Sequence, residues 1–355
     1  MDLNLLGRLT AVNGIPGREE RVRSIVREVV AGLVDDVRSD ALGNLIALKR
    51  ATERPVGRPE RIMLAAHMDE IGFVVRAIDE DGFLRVHNTG GFDTRNLFAR
   101  HVVVWTRDGD LNGLLYPAAK PVHVATKDER DRIPEMKDFF VDLGLPADEV
   151  KARVRVGDPV TFVQEMRRVG ELVSGKHMDD RVAVFVLIEA LKRLREYSVP
   201  HDVFAVFTTQ EEVGLRGAQV AAFGVEPTLG VALDVTLAVD VPGTPKEEAV
   251  TRLGEGVGIK VMDSSSISTR WLVDECIELA ERSGIPYQLE VLTMGGTDAG
   301  AVQRSRAGVP SITLSIPTRY IHTIVEACHI ADIQATIDLV VAFLTAASHG
   351  RDRME

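Results

Sequence analysis

Apolar positions in this chain recur with two different periods. Val22, Ile25, Val26, Val29, Val30 and Leu33 return every three or four residues among arginines and glutamates, the pattern of an amphipathic helix. A turn-rich stretch at residues 14–17 leads into it. Residues 62–66 form a continuous apolar run that reads as a buried strand, and His67-Met68-Asp69-Glu70 follows it. From Gly72 to Val163 the period shortens. Alternating runs at 73–75, 83–86 and 102–105 are separated by Asp81-Gly82, Asp108-Gly109 and Gly157-Asp158, which predict hairpins. Helical periodicity in this stretch is confined to residues 135–150, and the polar, proline-bounded segment 120–132 reads as a mobile loop.

After Ser174 strands and helices alternate. Residues 182–191 predict an almost wholly apolar helix, 203–207, 231–233, 287–292 and 312–315 predict strands, and 270–282 and 333–344 predict helices. Ser268 is placed to cap the first of those two helices. The alternation implies an α/β fold, a mixed β-sheet flanked by helices on both faces. With 355 residues, two domains are expected: an α/β unit from residues 1–71 plus 165–355, and an inserted small β-rich domain at 72–164. The bland role for the insert is a stability module.

Charge narrows the partners. Lys+Arg 42 against Asp+Glu 53 gives a net −11, which argues against a nucleic-acid or anionic-membrane surface. Two cysteines, Cys276 and Cys328, are too few to staple a chain of this size, so a reducing compartment is expected. The first residues lack a basic region followed by an apolar core, and the longest apolar stretches are too short for a bilayer. The expected location is cytoplasmic.

In open α/β sheets, functional groups collect outside the carboxyl ends of strands. Here those places hold His67 and Asp69, the pair Glu211-Glu212 after the 203–207 run, Asp234 after 231–233, and His322 beyond the last strand, with Asp179-Asp180 opening the apolar helix. Each has a bland reading: a satisfied core histidine, a helix-capping aspartate, a solvated turn. Their joint placement at strand ends favours one site. Two imidazoles and several carboxylates form a ligand set suited to Zn²⁺ or Co²⁺, and the absence of thiolate excludes a zinc finger. Hydrolysis at such a centre needs one carboxylate free to move protons, so one member of Glu211-Glu212 has a use off the metal.

His67-Met68-Asp69, Lys176-His177-Met178-Asp179-Asp180-Arg181, Glu211 through Ala218, Asp234-Val235-Thr236, Gly295-Gly296-Thr297-Asp298-Ala299-Gly300 and Tyr320-Ile321-His322 together span most of the chain. In these motifs the sequence resembles the tetrahedral (TET) dinuclear metallo-aminopeptidases, a family of glutamyl, leucyl and lysyl aminopeptidases, some of which have carried the name endoglucanase. The resemblance implies two divalent metal ions per subunit, bridged by Asp179, with His67 and Asp234 completing one site and Glu212 and His322 the other. It implies Glu211 as general base, Asp69 orienting the His67 ring, and a cis peptide between Asp179 and Asp180. His177, where relatives more often carry small or apolar residues, is taken as a neighbour of the site. The side-chain pocket is expected near Gly295, Gly296 and Tyr320. Peptide substrates are implied, as are dimers formed through the inserted domain and assembled into a dodecamer.

Three other activities compete. A glycosidase sets its carboxyl groups roughly 5–9.5 Å apart across a sugar, so adjacent Glu211 and Glu212 are a poor pair, and the aromatic content of 5% offers few sugar platforms. A related dinuclear deacylase or carboxypeptidase shares the metal logic and differs in the substrate end it reads. A non-catalytic scaffold has no use for a complete ligand set beside a free base.

Overall fold

The computed structural model describes residues 1–52, 59–121 and 123–346. Four parallel strands form the middle of an eleven-stranded mixed sheet, in the order Asp202–Thr208, Arg61–His67, Leu229–Leu237 and Ser311–Arg319. On one side the antiparallel strands Leu45–Lys49 and Asp36–Ser39 extend it. On the other, Glu326–His329, Leu172–Gly175 and Arg167–Val169 continue the path, while Val257–Met262 also pairs with Ser311–Arg319 and carries Tyr287–Val291 outside it.

Both faces of the sheet are covered, which is why its middle strands are continuous apolar runs. Along Arg61–His67, Ile62, Leu64 and Ala66 face the larger core, and Met63 and Ala65 face the smaller one. The larger core is built on the helix Met178–Arg193, in which every residue from 178 to 191 is buried. Helices Leu3–Ala11, Glu20–Val30, Arg270–Ser283 and Ile330–Thr345 surround it. The amphipathic pattern of the first segment is explained by Glu20–Val30, which buries Val22, Val26 and Val30 at spacings of four. Arg216–Val225 and Ala299–Gln303 cover the smaller core.

Between Gly72 and Phe162 a second sheet closes into a six-stranded barrel. Its own core includes Phe73, Leu84, Val102, Val104, Phe139, Val141 and Val160. Arg21, on the helix Glu20–Val30, stacks over the Trp105 ring at 3.9 Å and pairs with Asp110 at 2.7 Å, tying barrel to sheet.

Some local expectations differ from the structure. Arg107 and Asp108 form the tight connection between Arg100–Thr106 and Gly109–Pro117, a hairpin as expected, but Gly157-Asp158 joins the helix Ala147–Arg153 to the strand Pro159–Phe162 and makes no hairpin. The 135–150 periodicity resolves into a short 3-10 turn, the strand Phe139–Asp142 and that helix, because Gly144 and Pro146 interrupt it and Phe139 and Val141 alternate into the barrel. Thr269, not Ser268, is the N-cap of Arg270–Ser283, and its hydroxyl accepts from the Ser311 N–H rather than from the helix. Within 120–132, the helix Lys127–Asp131 carries a Thr126/Glu129 capping box; Val122 lies outside the described residues. Among the described residues, no helix is long and apolar enough to cross a membrane.

Candidate metal centre

The carboxyl ends of the parallel strands bring the expected residues to one cleft of about 610 Å³. His67 ends its strand, Asp234 lies near the end of Leu229–Leu237, and Glu211 and Glu212 follow Asp202–Thr208 by a few residues. His322 follows Ser311–Arg319. Asp179 is delivered from below by the first turn of the long apolar helix, where Asp179 and Asp180 depart from helical backbone angles and their peptide bond is cis.

Asp179 occupies the middle. Its Oδ1 lies 3.1 Å from His67 Nε2 and its Oδ2 lies 3.4 Å from His322 Nε2. His322 Nε2 is also 3.5 Å from Glu212 Oε1, and His67 Nε2 is 3.9 Å from Glu211 Oε2. His67, Asp179 and Glu212 offer donor atoms within 4.8 Å of one another, as do His67, Asp180 and Asp234. Asp180 also braces the His67 strand end, accepting the His67 backbone N–H on Oδ2 at 3.1 Å.

Asp69 acts through two groups. Its backbone carbonyl is the nearest acceptor to His67 Nδ1, at 3.1 Å, and its carboxylate oxygen stands at 3.7 Å. That carboxylate accepts the backbone N–H groups of Glu211 at 3.0 Å and Glu212 at 3.1 Å, so it grips the turn carrying both glutamates. At the start of the following helix Gly217 permits this turn to close: a Cβ there would stand 2.3 Å from the Thr209 carbonyl. His177 points away, to the buried Glu70 carboxylate. Gly295 and Gly296 line the cleft, while Tyr320 is exposed and Ile321 and His322 beside it do the lining.

Four residues to which the sequence reading gave no role contribute. Glu326 accepts the Asp179 N–H on one oxygen at 3.0 Å and the His322 N–H on the other at 2.8 Å, holding two central residues together. Asp298 accepts from Thr208 Oγ1 at 2.5 Å beneath the glutamate turn. Gly90 and Gly91, from the barrel side, approach closely enough that Cβ atoms would stand 3.1 Å from Glu212 Oε2 and 3.5 Å from His322 Nδ1. The Gly-Gly pair and the charge of Glu326 opening an apolar strand were the available signals.

The electrostatics call for cations. Burial, and then the neighbouring carboxylates, push Asp180, Glu211 and Asp234 well above the usual carboxylate range and raise Glu212. Burial and Asp179 bring Glu326 up to about 8, and burial brings Asp298 to about 6. Burial works against a proton on His322, yet Asp179 and Glu212 hold it up to about 11. Glu212 Oε1 and Asp180 Oδ1 are buried without a hydrogen-bond partner. Buried anions at this density are costly unless positive charge compensates them, and the imidazole and carboxylate donors are those that divalent first-row metals accept. The donor set fits.

A profile of the M42 glutamyl aminopeptidase family matches residues 43–339. The chain belongs to that family. It is therefore a metallo-aminopeptidase, a hydrolase of peptide bonds. The lysyl aminopeptidase of Pyrococcus furiosus is 33% identical, with 97% of each sequence covered. Among solved structures, the TET aminopeptidase of a marine-sediment Thaumarchaeota archaeon is 36% identical with a TM-score of 0.91, covering 97% of this chain and 95% of that one. The Pyrococcus horikoshii TET1 peptidase, described as able to assemble into a tetrahedron or a large octahedral shell, is 34% identical with a TM-score of 0.85 over 96% of this chain and 98% of its own. The sheet, its helical layers and the barrel of this M42 member are those of the TET aminopeptidase fold.

Proposed function

We propose that this aminopeptidase cleaves the N-terminal residue from peptides at two divalent ions, zinc or cobalt, with Glu211 as general base. His67 and Asp234 hold one ion, Glu212 and His322 the other, and Asp179 is shared. The observation that carries this reading is the Asp179 carboxylate, which turns Oδ1 to His67 at 3.1 Å and Oδ2 to His322 at 3.4 Å. A carboxylate with one oxygen toward each of two imidazoles suits a bridge between two sites.

When bound, the ions supply Lewis-acid activation of water and of the scissile carbonyl. Glu211 takes a proton from the attacking water and delivers it to the leaving amine. Its burial beside Asp234, Glu212 and Asp298 raises its proton affinity, and the Asp69 carboxylate fixes the turn from which it reaches. Gly295 and Gly296, on the cleft wall, form part of the pocket for the substrate side chain. Free aminoacyl-anilides are expected to be cleaved while their N-acetylated forms are not. Chelation should abolish turnover, and zinc or cobalt should restore it. Equal cleavage of the acetylated form, or activity indifferent to a chelator, overturns the reading.

The unit at residues 72–164 joins subunits into dimers, which build a twelve-subunit shell. Support comes from the assembly described for the Pyrococcus horikoshii relative. The expected solution mass is twelve times the 38.9 kDa chain, and light scattering that finds the single-chain mass excludes the shell. Two buried free cysteines fit a cytoplasmic setting.

A further inference from the structure

Leu215 lines two hollows: the metal cleft and a neighbouring groove of about 780 Å³. One wall of the groove is the helix Arg216–Val225, which presents the exposed Val220 and Phe223. The other wall is the segment following Ala299–Gln303, with Arg304, Ser305 and Arg306. Arg306 is occupied: it stacks over the Phe223 ring at 4.1 Å, donates to the Phe223 carbonyl and pairs with Glu226 at 2.9 Å. Its work is to hold the Phe223 wall.

Arg304 has no such work. Its side chain is exposed and, among the described residues, has neither a hydrogen-bond nor an ion-pair partner. Beside it Ser305 is only 8% exposed, yet its Oγ is buried and unpartnered. Buried hydroxyls are nearly always paired, because leaving one unmatched costs about 1–3 kcal/mol. A free guanidinium next to an unpaired hydroxyl, above an apolar wall, is suited to a carboxylate carried by an apolar chain.

We infer that this groove holds the trailing end of the peptide substrate, with its C-terminal carboxylate on Arg304 and Ser305 and its side chains against Phe223 and Val220. The inference rests on the peptide reading of the cleft. With the N-terminal residue at the metal cleft, the remainder of the peptide has to leave along an adjoining surface, and the groove is a neighbour of that cleft, sharing Leu215 with it. Charge selects the end that docks. The N-terminal end of the peptide is engaged at the cleft among Asp179, Glu211, Glu212 and Asp234, whereas the unpaired cation suited to a carboxylate lies in the groove.

The test measures binding rather than turnover. A ladder from dipeptide to hexapeptide, each as free acid and as C-terminal amide, is titrated calorimetrically into the metal-loaded Glu211→Gln protein. Beyond the length that reaches the groove, the free acid is expected to bind about fivefold tighter than the amide. Adding Arg304→Gln should close the gap while leaving the affinity of the amide in place, and Ser305→Ala should narrow it. Equal affinities of acid and amide at every length, or a gap that survives Arg304→Gln, overturns the groove assignment alone. If neither form binds at any length, the peptide reading of the cleft falls with it.

Discussion

Glu211→Gln is expected to keep the divalent ions and to lower kcat on an aminoacyl-anilide by about 10²–10⁴-fold, the usual worth of general acid–base catalysis. The substitution is nearly isosteric, and the turn that positions residue 211 is held through backbone N–H groups on Asp69, which the change leaves alone. What it removes is a carboxylate whose surroundings give it a strong hold on a proton. The Glu211 side chain is only 11% exposed, and this desolvation, with Asp234, Glu212 and Asp298, raises its pKa against the opposing effect of His67. An amide in that place can neither take a proton from water nor return it to the amine. Elemental analysis of the purified variant beside its kcat checks both halves of the expectation. Near-normal turnover removes Glu211 as base. Lost metal with lost turnover would make it a ligand.

The sheet was legible because its strands are buried on both faces: residues 62–66 and 203–207 are continuous apolar runs that allow little else. The same burial made the site legible, since a charge at the tip of such a run needs a reason to be there. Legibility ended where a residue's role depends on a partner far away in sequence. Thr269 rather than Ser268 caps its helix, and its hydroxyl is committed to Ser311 on another strand. Glu326 reads as an ordinary polar residue until the fold turns one oxygen to Asp179 and the other to His322. Asp69 is expected to orient the His67 ring, and its additional hold on the glutamate turn, through the backbone N–H groups of Glu211 and Glu212, depends on contacts about 142 residues away that the sequence does not show. Gly90 and Gly91 carry no chemistry of their own in the sequence, and only the fold brings both against the metal centre from the barrel side. The resemblance supplied roles that spacing alone left open, above all the division between Glu211 and Glu212.

Asp179→Asn is the substitution with the widest expected consequence: loss of ions from both positions and a fall in activity of more than about 100-fold. Changes to groups that only support a ligand already cost roughly 10–100-fold in metal affinity. Asp179 does more than support, because its two oxygens face two different imidazoles. An asparagine keeps one oxygen and sets an N–H₂ group where the other stood, so either imidazole faces a donor and the shared negative charge is gone. The backbone of the turn is not threatened, because the Asp179 N–H that Glu326 accepts is present in both residues. Circular dichroism should therefore be unchanged while metal content per subunit falls. Asp180→Asn provides the contrast. Asp180 is within donor reach of His67 and Asp234, but its Oδ2 is engaged by the His67 backbone N–H. If Asp179 is shared between the ions and Asp180 braces the strand end, Asp180→Asn lowers thermal stability more than metal content, and Asp179→Asn does the reverse. A full metal complement in Asp179→Asn, with loss in Asp180→Asn, would exchange the two roles and move the bridge one residue along the chain.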